Sequence, residues 1–499
     1  MQAINKLNIV VKQLVDVAKT YYYQEPNHSR KKKIVIVGVS FAGIELTKKL
    51  INLDKDQQFE ILLIDKNEYF EFVCTNTIGL TDETHLPRTI ISMTKLRESF
   101  RSSAVAFKRA RLVNVSDKNQ SIDVEIQKKS SIASTKNILE INDQHVRVEM
   151  EKPEIESINY DYLVICTGSQ YDLPLREDYQ INSNTKQRYQ SMDQIRNDIK
   201  KAKSVLVVGG GPNGVECIGN LASGLQGSGK KLGIITRNPR LLPSMPHQAS
   251  TAAEAHLKRE GVFVYLNSEY TSQLKQEMDY DYVINCVGNR FDANKQFMKG
   301  DLADCLDKHT SQIYVNEYMM VTNKNPLDED LDSKSDVCLT RANEEKSVLP
   351  IHILSNILAN NIMILSKKLR ENGEQLKLVP EVIPRFYVIP LGHQNGIIVW
   401  NDFVVAGKIG VLIKTMLEKM IMATLNNSII ADYFMRLQYK ATDGLFWVCS
   451  TRVFSCFPCH ENRARRRTNK DDKKILKSKI QELENIKQGL QSKNIKKNN

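Results

Sequence analysis

Two stretches of this chain pass from an unbroken apolar run to a glycine turn and then to helical spacing. Residues 31–37, KKKIVIV, end in a short hydrophobic run suited to a strand buried on both faces. GVSFAG follows at once, and AGIELTKKLINL then spaces its apolar residues as a helix does. Residues 204–220, SVLVVGGGPNGVECIGN, repeat that order about 170 positions later. Each unit is followed by an apolar strand that closes on a small-residue turn, YDYLVICTGS at 160–169 and YDYVINCVGN at 280–289. The half-repeat therefore occurs twice, which predicts an α/β protein with two Rossmann-like halves.

Other patterns fill the intervals. Residues 105–160 alternate polar and apolar positions (SIDVEI, HVRVEM), as a small inserted antiparallel β-meander would. Residues 321–336 are acidic and read as a surface loop. Between 384 and 412 two strand-like runs flank GHQNG, whose Asn395 and Gly396 suit a hairpin turn, and KTMLEKMIMATL after them reads as a helix, giving a C-terminal α+β domain. His393 in that turn either faces water or donates a proton in an acceptor wall. At the N-terminus Ile4, Leu7, Val11, Leu14, Val15 and Ala18 share one face of an amphipathic helix, which packs on the protein's own surface or lies on a membrane.

The turns carry the chemistry. A dinucleotide turn needs one glycine for the bend, a second for clearance at a pyrophosphate and a third for helix-on-strand packing, with the helix N-terminus facing the phosphates. Gly38 and Gly43 fill the first and third places of the first turn, and Ser40 fills the second at some cost in clearance. Asp65 ends the next strand 22 residues after Gly43, where a carboxylate accepts hydrogen bonds from a ribose. In the second turn Gly209, Gly211 and Gly214 are all present, and the following strand ends at Thr236 and Arg237 instead of an acid. That ending admits a 2'-phosphate, which Arg237 could pair with, and leans toward NADPH; the alternative is an arginine directed into solvent.

Composition narrows the class. With 41% hydrophobic and 26% charged residues and no apolar run of membrane-spanning length, the chain reads as folded, multidomain and soluble or peripheral. Its net charge of +12 suggests nucleic acid, yet residues 460–499 alone hold 13 Lys and Arg against 5 Asp and Glu, so most of the excess is a tail and no specific nucleic-acid partner is expected. Nine scattered cysteines and an N-terminus without a signal-peptide core point to a reducing, cytoplasmic setting. Cys449, Cys456 and Cys459 lie between aromatic residues and an arginine run; they read as plain thiols or as an acylated anchor on the cytosolic face of a membrane, and their spacing with His460 does not match a zinc site, so no metal is expected.

These motifs resemble the FAD-dependent pyridine nucleotide oxidoreductases with two dinucleotide domains, and within them the apoptosis-inducing-factor-like, ferroptosis-suppressor branch and the neighbouring type II NADH dehydrogenases. IVIVGVSFAG, IDKNEYFEF, YDYLVICTGS, VLVVGGGPNGVE, RLLP and YDYVINCVGN carry the likeness over roughly residues 31–420. It implies FAD on Gly38, Ser40, Gly43, Asp65, Thr167 and Gly168, and NAD(P)H on Gly209, Gly211, Gly214, Glu216 and Gly288, to which the strand-end reading adds Arg237. Hydride would pass from nicotinamide to flavin to a small quinone-like electron acceptor without a protein nucleophile. The implied plan is an N-terminal helix (1–30), an FAD domain with its β insertion (31–200), an NAD(P)H domain (201–295), the rest of the FAD domain (296–370), a C-terminal domain (371–448) and a cysteine-containing basic tail (449–499). Family members carry a Gly-Asp pair for the ribityl chain where this chain has Thr340 and Arg341. The rival reading is a non-catalytic, membrane-associated NAD(P)H module that has lost FAD.

Overall fold

Strand β1 (Lys32–Val37) can bury Ile34 to Val37 completely because it has hydrogen-bonded neighbours on both edges. In the computed structural model the first half runs through β1, β2 (Phe59–Asp65), β3 (Tyr69–Glu71), β4 (Ile90–Ser92), β5 (Val105–Ser116), β6 (Ser121–Ile126), β7 (Ile155–Asn159) and β8 (Tyr162–Ile165). All but β3 and β4, which pair with each other, form one sheet in the order β7-β6-β5-β2-β1-β8. The structure describes residues 30–127, 153–172, 184–288, 291–323, 348–366 and 385–426, with short pieces at 175, 338–339, 375–380, 383 and between 428 and 434. The N-terminal helix, most of the acidic loop, Thr340 and Arg341, and Cys449, Cys456 and Cys459 fall outside the described residues.

The alternating segment after residue 105 forms the expected inserted antiparallel meander, β5-β6-β7, and it is continuous with the sheet of the first half. β5 first pairs in parallel with β2, Val105 to Arg109 against Ile61 to Asp65, and then antiparallel with β6, so the insertion extends the nucleotide sheet. Period-two alternation marks a half-buried strand but does not say which strand it will join.

The second half repeats the topology at smaller scale. β9 (Ser204–Val208), β10 (Lys231–Ile235), β11 (Phe263–Tyr265) and β12 (Tyr282–Asn285) form an all-parallel sheet in the order β11-β10-β9-β12, matching β5-β2-β1-β8 of the first half. Helix Phe41–Leu53 joins β1 to β2, and helix Pro212–Gly224, with proline at its first position, joins β9 to β10. A later helix, Val348–Ser366, returns to the first half, where its Ala359, Ile362 and Met363 share a core with Ile44, Leu46 and Leu50.

β13 (Ile313–Tyr314) and β14 (Cys338–Leu339) make a small parallel pair. The chain then forms an antiparallel meander of β15 (Phe386–Pro390), β16 (Gly396–Trp400) and β17 (Phe403–Gly407), capped by helix Lys408–Leu425. The Leu391 N–H bonds the Asn395 carbonyl at 2.7 Å and closes the hairpin. Ile389, Leu391, Ile397 and Val399 join the core of the second half with Ile218, Leu221 and Leu257. That approach requires a glycine: a Cβ on Gly219 would stand 2.8 Å from the Leu391 Cα. Residues 1–432 form one unit; of the second, 433–499, only Tyr433 and Phe434 are described.

Candidate functional site

Gly38 ends β1 in the left-handed region (φ 99), and a Cβ there would lie 2.2 Å from the Cys166 carbonyl oxygen, so only glycine lets the turn close against β8. Gly43 backs onto the same turn, where a Cβ would meet the Gly38 carbonyl oxygen at 2.1 Å. Ser40 is the N-cap of helix Phe41–Leu53, with extended backbone (φ −109) and no capping hydrogen bond from its side chain. Its hydroxyl is not spent on the helix's first N–H groups, which stay open to an anionic ligand.

Gly38, Ser40, Asp65, Thr167 and Gly168 line a single cleft of about 210 Å³, together with Lys66, Arg111 and Gln170. Gly43 lies behind it as packing. Asp65 is held against the turn: Oδ2 accepts the Val39 N–H at 2.8 Å and Oδ1 accepts the Asn67 N–H at 2.9 Å. Thr167 donates its hydroxyl to Asn294 Oδ1 at 3.4 Å, and Gly168 bends with φ 70. Burial pushes the Cys166 thiol up to about 12, so this cysteine of the cleft wall is not a nucleophile at neutral pH.

The second turn has the same skeleton. Gly209 is left-handed (φ 118) with the Cys286 carbonyl oxygen 3.0 Å from where its Cβ would be, and a Cβ on Gly214 would meet the Gly209 oxygen at 1.9 Å. Gly211 differs: its φ is −75, and a Cβ would touch nothing within 4 Å. Gly288 (φ 83) also faces open space. Thr236 is buried against Gly210, whereas Arg237 beyond it is exposed. Arg240 is engaged by the Met245 and Pro243 carbonyls at 2.9 and 2.7 Å, which leaves Arg237 as the accessible cation of that segment.

Glu216 does not line an open surface. It is buried on helix Pro212–Gly224 with its Oε1 3.5 Å from Lys414 Nζ, on helix Lys408–Leu425. Burial raises its carboxyl above the ordinary range, and the Lys414 charge and hydrogen bond only partly offset that. His393 is an exposed turn residue whose backbone N–H bonds Ser223 Oγ at 3.2 Å.

Several site features escaped the sequence reading. The repeated YDY is one: Asp161 Oδ2 accepts the Lys33 N–H at 2.6 Å, and Asp281 Oδ2 accepts the Lys203 N–H at 2.6 Å, so each fastens the start of its first strand. Glu45 is another, two positions past the third glycine of its turn, where Glu216 stands in the other. It is buried and bonds His352 Nδ1 at 2.8 Å. Burial raises the Glu45 carboxyl, but the hydrogen bond and charge of His352 with the charges of Lys49 and Lys48 outweigh it and hold the group below its ordinary range. Among the described residues no group of three or more His, Cys, Asp or Glu could hold a metal ion, and no helix is long and apolar enough to cross a membrane.

Residues 32–325 match the family model of the pyridine nucleotide-disulphide oxidoreductases. Apoptosis-inducing factor homolog A of Dictyostelium discoideum is 25% identical over 264 residues, 51% of this chain and 54% of that protein. Ferroptosis suppressor protein 1 of Xenopus laevis is 28% identical over 184 residues, 37% of this chain and 38% of its own length. The chain thus spans about half the length, or less, of the curated relatives it matches. The solved structure of NDH2 from Plasmodium falciparum in complex with NADH shares the fold, with a TM-score of 0.55 at 12% identity over 82% of this chain and 98% of that one.

Proposed function

This chain belongs to the pyridine nucleotide-disulphide oxidoreductase family, and from that premise we propose that it is an FAD-dependent NAD(P)H oxidoreductase serving a small, quinone-like electron acceptor. The duplication carries the reading: one chain holds two left-handed glycine turns, backed by the carbonyls of Cys166 after β8 and Cys286 after β12, and each opening a helix. The first cleft suits FAD, with the N-terminus of helix Phe41–Leu53 for the pyrophosphate, Asp65 for the ribose and the Thr167–Gly168 turn beside them. Bound there, FAD would supply the carrier for hydride from the nicotinamide. Gly209, Gly211, Gly214 and Gly288 would seat NAD(P)H, Arg237 would meet a 2'-phosphate, and Glu216, buried on the same helix and tethered by Lys414, would hold that helix in place without touching the ligand. No side chain is asked to form a covalent bond, in keeping with the inert Cys166.

The same reading puts the protein against the cytosolic face of a membrane, where a lipid-soluble acceptor is at hand. Exposed Phe403, Ile409, Leu412 and Met416, clustered on β17 and the first turns of helix Lys408–Leu425, support it. The purified protein should be yellow, release FAD on heating and oxidise NAD(P)H with a soluble quinone. A folded, colourless protein that takes up no added FAD would overturn the proposal.

A further inference from the structure

Gln170 is a polar residue of the first cleft whose side-chain donor the described fold leaves unanswered. It stands two residues past the left-handed Gly168, lines the cleft and is 9% exposed. Its Nε2 is buried and donates to nothing among the described residues. An amide donor buried without an acceptor destabilises a fold, and folded proteins keep few of them. Packing alone would be served better at this position by Leu or Met, which fill similar volume without that cost. The anionic part of a dinucleotide has other partners at the helix start beside Ser40 and at Lys66 in the same cleft. An uncharged amide is suited instead to a neutral oxygen, a carbonyl or a hydroxyl.

We infer that Gln170 is a positioning residue that donates its Nε2 hydrogen to a neutral acceptor oxygen of the flavin dinucleotide in the first cleft, an inference that rests on the function proposed above. The empty protein carries the unsatisfied donor, and ligand binding satisfies it. Removing the donor should therefore act in opposite directions on the two states, stabilising the empty protein and weakening its hold on FAD. A residue that merely packs would lower stability in both.

The test uses the full-length chain stripped of flavin, with FAD added back and followed by quenching of flavin fluorescence. Gln170→Leu should raise the melting temperature of the flavin-free protein and weaken FAD binding by about tenfold or more, while NADPH affinity at the second turn stays within twofold. Should that variant fail to fold, Gln170→Met, closest in length and shape, is read in the same way. FAD affinity within twofold of wild type in the variant overturns the inference and leaves the proposed function standing. A wild-type protein that takes up no FAD removes both, so the two failures are told apart by the wild-type titration.

Discussion

The two nucleotide units share what the backbone requires and differ in what a ligand would touch. Both first glycines are left-handed, both third glycines leave no room for a methyl group, and an aspartate of each YDY fastens the first strand. Both helices carry a buried glutamate two positions past the third glycine, and each pairs with a base on a helix far along the chain, His352 for Glu45 and Lys414 for Glu216. The units part at the second turn position, Ser40 against Gly211, and at the end of the second strand, Asp65 against Thr236 and Arg237. Since Gly211 has an ordinary φ and no neighbour for a Cβ, a serine at this position costs the fold nothing. Any clearance lost at Ser40 is clearance toward a ligand.

The glutamate pair offers the strongest way to break the likeness. Lys414→Met leaves Glu216 buried without its cation and should cost about 3–5 kcal/mol in urea unfolding at pH 8. The loss should shrink as pH falls, because the carboxyl raised by burial takes up its proton above the ordinary carboxylate range. pH separates the two glutamates even without that change. Glu216, raised in the folded state, makes stability fall as pH climbs from the ordinary carboxylate range through its folded value; Glu45, lowered, gives stability that is present above its unfolded value and lost as pH falls through its folded one. The stability of wild type relative to Glu45→Gln should thus rise with pH, and that relative to Glu216→Gln should fall. Parallel curves would show that the two pairs are equivalent after all.

Next in size is the cofactor preference. A charge-assisted contact to phosphate contributes about 1.5–3 kcal/mol, so Arg237→Glu should weaken NADPH binding by roughly tenfold to a hundredfold and leave NADH nearly unchanged. Equal losses for both would remove the 2'-phosphate role. The smallest effect belongs to the second turn position. Exchanging the residues, as Gly211→Ser and Ser40→Gly, should alter unfolding free energy by less than about 0.5 kcal/mol each. Gly38→Ala, by contrast, meets a backbone oxygen from a left-handed position and should cost about 3 kcal/mol or more. A large loss from Gly211→Ser would mean that the backbone, and not the ligand, dictates that glycine.

The glycines, Asp65 and the closing turns were legible because local geometry forces residue type at fixed spacing, and spacing is what a sequence displays. Lys414 and His352 were not, since they lie 198 and 307 residues from the glutamates they meet and nothing local marks either one. Glu45 could have been found by the offset it shares with Glu216. The repeated YDY was visible as a motif, but an aspartate that accepts a backbone N–H from another strand looks, in sequence, like any polar residue before a strand. The antiparallel meander was legible in its alternation, but the parallel pairing of the first residues of β5 with β2 was not, because alternation is the same for both kinds of neighbour.

The pairing of Glu45 with His352 also sets an order of events at the ribosome. The second unit is continuous, and its four strands lie between residues 204 and 285. The first begins earlier but cannot cover Ile44, Leu46 and Leu50 until helix Val348–Ser366 has emerged. At roughly 5–20 residues per second, Glu45 waits about 15–60 s for His352, and Glu216 about 10–40 s for Lys414, so each unit is closed by a late segment and the second, which needs residues 389–414, is completed last. Limited proteolysis of arrested chains that expose residues up to about 370 or up to 426 should find helix Phe41–Leu53 protected in both and helix Pro212–Gly224 fully protected only in the longer; equal protection of the two helices in the shorter chain would show that the second unit closes without its late segment.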